Sequence, residues 1–300
     1  MLDDQFLEYI VDPADHFVYL REVLTSQMQL SHSLLTQLKL QHKIRVNGQI
    51  TKTNYQLQAG DLVTVDIALD EMNPIEPEDI PLDIVYEDCD FLVINKPPQL
   101  AVHPVKAIPS GTLANAVTHY WAEQGKSILF RPINRLDKNT SGLILIGKSQ
   151  YAHQAAFRQQ KQGLIKRNYL AIANGVMPED SGSICLPIAH MDPRYSARSV
   201  DPSGKPAITH FHVLQRYEDC TLLSLSLETG RTHQIRVHLS QLGFPICGDI
   251  QYGHASPFID RQALHAASLS FQSARTGEYI HLKTPLPADM TALLDRISRS

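Results

Sequence analysis

The first seventy residues carry a short pattern of helices and strands. Apolar positions in 20–25 recur with helical spacing, and Ser31 is placed to cap a second helix that ends near residue 41. The alternating stretch 43–50 predicts a hairpin because a turn dipeptide, Asn-Gly, lies near its centre, and 55–67 adds two strands around a second turn. The pattern therefore predicts that residues 1–70 form a small α+β domain.

Beyond residue 82, apolar strands follow one another, with helices between some of them. Short apolar runs that flank turns predict hairpins, and a longer apolar run after residue 142 predicts a buried strand. The predicted strands are 84–87, 91–96, 143–148, 167–172, 207–216 and 221–228, and the predicted helices are 112–123 and 150–162. Since neighbouring strands are joined by hairpins, residues 82–300 are predicted to form an α+β domain with a mixed, mostly antiparallel sheet and helices beside it.

Composition places the chain in a broad class. It has 300 residues and a formal net charge of −4, which is enough length for two modest domains. It contains no apolar run of eighteen residues and its first residues are acidic, so we expect neither a membrane span nor a signal peptide. The four cysteines lie far apart with no Cys-x-x-Cys spacing, which indicates neither a zinc ribbon nor a redox pair. We therefore expect a cytoplasmic protein.

Charge is segregated along the chain. Residues 66–90 contain ten acidic residues and no lysine or arginine, and prolines punctuate this stretch, so we interpret 71–81 as an acidic interdomain linker. Residues 131–169 instead carry eight lysines and arginines against a single acid, Asp137. Each of these cations alone is typical of a solvated surface, but eight around one carboxylate favour a track for nucleic-acid phosphates.

Asp137 lies in the sequence Asn-Arg-Leu-Asp-Lys-Asn-Thr-Ser-Gly (134–142), directly before a predicted buried strand. The small polar residues after it can close a tight loop through hydrogen bonds to their own backbone. A carboxylate between Arg135 and Lys138 stays ionised at neutral pH, which suits a nucleophile. The simpler interpretation is a surface turn in which Asp137 caps the backbone.

A second polar motif, Glu-Thr-Gly-Arg-Thr-His-Gln-Ile-Arg-Val-His (228–238), follows the last predicted hairpin. Thr232 is predicted to cap a helix that is closed by Gly243, which leaves Arg231 at the mouth of this helix. His233 and His238 are five residues apart, the wrong spacing for two metal ligands on one helix face. We therefore expect no metal site.

These two motifs resemble the hallmarks of the RluA family of RNA pseudouridine synthases, and the resemblance extends from about residue 84 to 281. It implies isomerisation of uridine in RNA to pseudouridine without a cofactor. It also implies that Asp137 is the essential aspartate, that Arg231 pairs with it, and that Tyr169 stacks on the target base. Two chemical routes are open: attack of the carboxylate on the sugar or base, and removal of a ribose proton to give a glycal.

Residues 1–70 look like the S-four-like RNA-binding domain named after a small-subunit ribosomal protein, on the strength of the Val-Asn-Gly and Ala-Gly-Asp-Leu-Val segments. RNA is the expected partner, with ribosomal RNA favoured and transfer RNA second, and we expect a monomer. The residues expected to contact RNA are Lys39, Lys43, Arg45, Arg135, Lys138, Arg158, Lys161, Lys166, Arg167, His233, Gln234 and Arg236.

Two other classes of protein fit parts of the sequence. The loop 137–140 partly matches the Asp-x-Asp-x-Thr loop of magnesium phosphohydrolases, but Asn139 replaces the second carboxylate, so the metal would lose a ligand. A catalytically silent RNA-binding protein would have nearly the same sequence, and only turnover would separate it from an enzyme. We favour the synthase over both.

Overall fold

The computed structural model describes residues 5–191 and 197–299, and its N-terminal part is built on a four-stranded antiparallel sheet. The strands are β1 (Phe6–Ile10), β2 (Ile44–Val46), β3 (Gln49–Ile50) and β4 (Leu62–Asp66), and the helices are α1 (Leu20–Glu22), which continues as a π-helical turn over Val23–Gln27, and α2 (His32–Leu40). The strand order is β1-β4-β2-β3. Apolar residues of both helices and of the inner face of the sheet form one buried cluster.

Local signals account for most of this N-terminal part. Ser31 caps α2 as predicted, because its hydroxyl accepts a hydrogen bond from the backbone N–H of Leu34 at 3.3 Å. Asn47 and Gly48 have φ angles of 50° and 79°, which a tight hairpin turn requires at both positions. The sequence did not predict β1, which pairs with β4 through Phe6–Ile10 and buries only one side chain, that of Leu7.

Within the described residues, the larger sheet has ten strands. The remaining strands are β5 (Ile84–Glu87), β6 (Phe91–Lys96), β7 (Arg131–Pro132), β8 (Ser141–Gly147), β9 (Lys166–Asn174), β10 (Ser181–Cys185), β11 (Ile188–His190), β12 (Arg198–Val200), β13 (Ile208–Arg216), β14 (Cys220–Leu227), β15 (Leu264–Gln272) and β16 (Tyr279–Lys283). The order in this sheet is β10-β13-β14-β9-β15-β8-β6-β5, with β16 beside β15 and β7 beside β8, while β11 and β12 pair separately. Only the pairing of β8 with β15 is parallel among the described strands, which confirms the mixed, mostly antiparallel sheet.

Helices cover both faces of the large sheet. They are α3 (Leu113–Glu123), α4 (Gln150–Lys161), α5 (Gln234–Gln241) and α6 (Ala288–Ile297). Alternate residues of β8 enter two different cores: Leu143 and Leu145 pack with α4, whereas Ile144 and Ile146 share a cluster with α3, α5 and α6. A strand buried on both faces needs apolar residues at every position, which explains its continuous apolar run.

The predicted linker 71–81 contains no helix or strand. It nevertheless lies against α3, because the side-chain amide of Asn115 donates to the Glu76 carbonyl at 2.8 Å and the Glu78 carboxylate accepts from the Gly111 N–H. Asn73 donates to the Ile128 carbonyl at 3.0 Å. The linker is therefore attached along its length to the part of the chain that forms the large sheet.

The two sheets are also joined through α4 and the segment after β15. Tyr151 of α4 packs in the N-terminal apolar cluster. Arg275 donates from Nη1 to the Phe6 carbonyl at 2.8 Å, and Arg158 donates from Nη1 to the Gln29 carbonyl at 3.1 Å. In the described parts of the chain, no helix combines the length and apolar character needed to cross a membrane.

Candidate active site

A cleft of about 540 Å³ opens on the large sheet where the two polar motifs meet. Its walls are the loop around Asp137, the loop that contains Val102, the strand β9 at Tyr169, and the segment that leads into α5. The two motifs are about a hundred residues apart in sequence, so the sheet is what brings them together. In this cleft the predicted aspartate and the predicted second motif share a surface.

The Asp137 loop connects β7 to β8 and is held tightly. The Asp137 carbonyl accepts from the Thr140 N–H at 3.0 Å, which closes the predicted turn. Asn134 is buried and its side-chain oxygen accepts from the Leu145 N–H at 2.8 Å. Gly142 has a φ of +110°, and a Cβ there would lie 2.3 Å from the Ala266 carbonyl oxygen, so only glycine fits against β15.

Arg236 is the direct partner of Asp137. Its Nη1 donates to Asp137 Oδ2 at 2.9 Å, while its Nε and Nη2 form a bidentate pair with Asp249 at 2.7 and 2.9 Å. The Arg236 side chain is buried. Burial disfavours its charge, but the hydrogen bonds and charges of Asp249 and Asp137 outweigh burial and raise the pKa of Arg236. The guanidinium is therefore a fixed cation that holds one oxygen of Asp137.

The expected pair between Arg231 and Asp137 is wrong. Arg231 Nε instead donates to the Pro206 carbonyl at 3.0 Å, on the rim of the same cleft. The physical reason is the start of α5: His233, in a left-handed conformation with φ of 59°, precedes the helix where Thr232 was predicted to cap it. The helix therefore begins later, and its first turn presents Arg236 where Arg231 was expected.

His233, which is expected to contact RNA, lines the cleft beside Asp137. Its Nε2 is 3.8 Å from Asp137 Oδ2, and its Nδ1 is 2.7 Å from the hydroxyl oxygen of Tyr252. Burial lowers the pKa of His233, with the Asp137 charge acting in the opposite direction. The ring is therefore mainly neutral at neutral pH. The Tyr252 ring also faces the Arg236 guanidinium at 4.9 Å.

Tyr169 lies on β9 and lines the cleft, although its side chain is buried. Burial raises its pKa, so the phenol is neutral. Arg167, two residues earlier on β9, lines the same cleft next to Gly230. Tyr169 thus lines the cleft, and its stacking on the target base stays a prediction.

Of the other residues expected to contact RNA, some are exposed and some are held by contacts within the protein. The exposed residues of the large-sheet part are Arg135, Lys138, Lys161 and Lys166, and those of the N-terminal part are Lys39 and Arg45. Arg135 and Lys138 line the cleft, whereas Lys161 lies over the Phe157 ring.

Gln234, Arg158 and Lys43 are occupied by protein contacts. Gln234 is buried, and its amide nitrogen donates to the Ile208 carbonyl and to Thr209 while its oxygen accepts from Thr229 and the Arg231 N–H. The expectation that Gln234 contacts RNA is therefore wrong, because it anchors the start of α5 instead. Arg158 holds the Gln29 carbonyl at the junction of the two sheets, and Lys43 pairs with Asp66 and Asp70 at 3.1 and 3.5 Å.

Sequence reasoning missed the roles of Asp249 and Tyr252 in this site. Both follow the second motif in the short sequence Gly-Asp-Ile-Gln-Tyr-Gly (248–253). The only signal in the sequence was an acid and a tyrosine in a loop bounded by glycines. That pattern does not indicate that Asp249 pairs with Arg236, thirteen residues earlier. Within 5–191 and 197–299, no group of three or more histidine, cysteine or acidic side chains is arranged to hold a metal ion.

The chain is similar to known RNA pseudouridine synthases. A family model described as RNA pseudouridylate synthase matches residues 90–241. The chain is 41% identical over 262 residues to the RNA pseudouridine synthase YlyB of Bacillus subtilis, which covers 86% of each chain. It is 38% identical over 284 residues to ribosomal large subunit pseudouridine synthase D of Vibrio parahaemolyticus, which covers 90% of this chain and 87% of the relative.

A solved structure, that of human RNA pseudouridylate synthase domain containing 1, is also similar. It matches with a TM-score of 0.58 and 27% sequence identity, over 76% of this chain and 98% of that chain. The similarity to these proteins thus extends well beyond the two motifs and covers most of the chain.

Proposed function

The chain belongs to the RluA family of RNA pseudouridine synthases, and from that premise we propose that Asp137 is its essential catalytic residue and that its substrate is ribosomal RNA of the large subunit. The enzyme is an isomerase that converts uridine in RNA to pseudouridine. The relative named ribosomal large subunit pseudouridine synthase D supports the choice of RNA. The contact between Asp137 and Arg236 is the single observation that carries the choice of residue.

The reaction rearranges one nucleotide without adding or removing atoms. The bond between ribose carbon 1 and uracil nitrogen 1 breaks, the uracil turns, and uracil carbon 5 bonds to the same ribose carbon while its proton is lost and nitrogen 1 gains one. No oxidant, reductant or leaving group is needed. The protein must therefore supply a base or nucleophile, hold the detached ring, and move a proton.

Asp137 is arranged for the first of these tasks. Arg236 holds Oδ2 from one side, and Oδ1 has no hydrogen-bond partner among the described residues, so it is available to the ribose or the uracil. A fixed cation at one oxygen costs no reorganisation when the other oxygen reacts. Both attack on the sugar or base and removal of a ribose proton are compatible with this arrangement.

The target base must leave the RNA stack to reach Asp137, which costs about a few kcal/mol. Tyr169 in the cleft wall would offset part of that cost by stacking on the base, as aromatic side chains do in other nucleic-acid complexes. Arg135, Lys138, Arg167 and Arg231 line the cleft and would contact the flanking phosphates. His233 would meet the nucleotide beside Asp137.

A map of pseudouridines in cells that lack this gene tests the proposal. We expect one or a few positions in large-subunit ribosomal RNA to lose the modification. The wild-type gene should restore them, and so should a matched control with Asp219→Asn, an exposed aspartate in the turn before β14. Asp137→Asn should restore nothing although the protein accumulates, because the amide keeps the size of the side chain and loses its base.

Other outcomes of this experiment would contradict parts of the proposal. Loss of modification in transfer RNA alone would overturn the choice of substrate. Restoration by Asp137→Asn would overturn the choice of catalytic residue.

A further inference from the structure

Two buried cations lie beneath the Asp137 loop, outside the set of residues that line the cleft. The first is Lys96 at the end of β6, whose side chain is fully buried. Its Nζ donates to three carbonyl oxygens, those of Pro97 at 2.8 Å, Leu100 at 2.9 Å and Lys138 at 3.0 Å. Burial, with a smaller effect of the Arg261 charge, lowers the pKa of Lys96 to about 7. Lys96 thus holds the carbonyl of Lys138, the residue that follows Asp137.

The second cation is Arg261, which is also buried. Its Nη1 donates to the carbonyl of Asn139 at 3.1 Å, the next carbonyl along the loop. Its Nε and Nη2 form a bidentate pair with Asp289 at 2.6 and 2.8 Å. Asp289 lies in the first turn of α6, where a carboxylate is favoured by the helix dipole. Arg261 therefore connects the Asp137 loop to the C-terminal helix.

The backbone of Arg261 also contacts the other half of the site. Gly248 has a φ of +75°, and a Cβ at this position would lie 2.3 Å from the Arg261 carbonyl oxygen. The next residue, Asp249, holds Arg236, which in turn holds Asp137. One residue thus supports both the loop that carries the aspartate and the loop that carries the partner of its arginine.

We propose that Arg261 and Asp289 are positioning residues for the isomerisation, and that α6 acts through them to fix Asp137 against Arg236. The inference rests on the proposed catalytic role of Asp137. Neither residue lines the cleft, so neither is expected to touch the RNA. An Arg–carboxylate fork has a fixed geometry, and its free edge defines where the Asn139 carbonyl lies. A displacement of the reacting group by about 1 Å can lower a rate by about a hundredfold.

Arg261→Lys and Asp289→Asn test this proposal. Lysine keeps the charge but cannot bond Asp289 with two nitrogens and the Asn139 carbonyl with a third. Arg216→Lys is the matched control, since Arg216 also contacts a carboxylate, Asp180 at 2.7 Å, and a backbone carbonyl, that of Met177 at 2.7 Å, away from the cleft.

The rate of tritium release is measured in a single turnover, with enzyme in excess over large-subunit ribosomal RNA transcripts labelled at uracil carbon 5. The dissociation constant for the same RNA and the thermal unfolding midpoint of each variant are measured separately. We expect Arg261→Lys and Asp289→Asn to lower the single-turnover rate about tenfold or more while the dissociation constant changes by less than about threefold. Arg216→Lys should change neither by more than about twofold.

A purely structural role would lower the unfolding midpoint and leave the rate of the folded enzyme unchanged, and that result would overturn the proposal. An equal effect on rate and RNA affinity would also overturn it. If Arg261→Lys does not fold, Asp289→Asn at the partly exposed start of α6 decides the matter. Absence of tritium release from any RNA by the wild-type enzyme would instead contradict the proposed function.

Discussion

The catalytic cleft and the N-terminal part both gather positive charge, but they hold it in different ways. Around the cleft, Arg236, Lys96 and Arg261 are buried, and each is bonded to a carboxylate or to backbone carbonyls. In the N-terminal part, Lys39 and Arg45 are exposed above a core that is almost wholly apolar. Buried cations build the site, whereas exposed cations are free to meet RNA.

The difference has an energetic basis. Moving a charge from water into the protein interior costs several kcal/mol, which hydrogen bonds and opposite charges must offset. An exposed ion pair contributes about 1 kcal/mol or less and is readily exchanged for a phosphate. The positive charge counted along a sequence therefore overestimates the charge that an RNA can use.

The largest expected contrast in stability is between Lys96→Met and Lys43→Met. The first change leaves three buried carbonyls without their donor and should lower the free energy of unfolding by about 3 kcal/mol. The second removes one partly buried pair, with Asp66, and one pair with the exposed Asp70, and it leaves no buried carbonyl without a donor, so a smaller loss of about 1 kcal/mol is expected. Urea unfolding of both variants beside the wild type measures the two losses. Equal losses in the free energy of unfolding would show that the two regions do not differ in how burial of a cation affects stability.

A smaller effect is expected from Lys39→Ala combined with Arg45→Ala. If both residues contact phosphates, the slope of log affinity against log salt should fall by about two, since each contact releases about one counterion. The single-turnover rate at saturating enzyme should not change, because the cleft is intact. Lys283→Ala, an exposed lysine on β16, is the control and should leave the slope unaltered. An unaltered slope in the double variant would show that the N-terminal part does not belong to the RNA-binding surface.

Much of the fold follows from local patterns in the sequence. The continuous apolar run of β8, the cap at Ser31 and the turn at Asn47 are each recognisable from the local sequence. Edge strand β1 escaped prediction because it buries only Leu7 and so lacks a clear alternation.

The site could be predicted only in part. Asp137 stands out because it is the one acid among eight cations. Its partner was predicted to be Arg231 and is Arg236, because the start of α5 depends on a left-handed conformation at His233 that non-glycine residues seldom adopt. The roles of Lys96 and Arg261 could not be predicted for a different reason. These side chains donate hydrogen bonds to backbone carbonyls 42 and 122 residues away in sequence.

The central claim is that Arg236, and not Arg231, holds Asp137, the proposed catalytic residue. A direct comparison of Arg236→Lys and Arg231→Lys in single-turnover tritium release, with RNA affinity measured separately, tests it. Lysine at 236 cannot bond Asp249 with two nitrogens and Asp137 with a third, so the rate should fall about a hundredfold, which is about 3 kcal/mol of barrier, with little change in affinity. Lysine at 231 should leave the rate within about threefold and weaken RNA binding instead. A normal rate for Arg236→Lys beside a large loss for Arg231→Lys would contradict the claim.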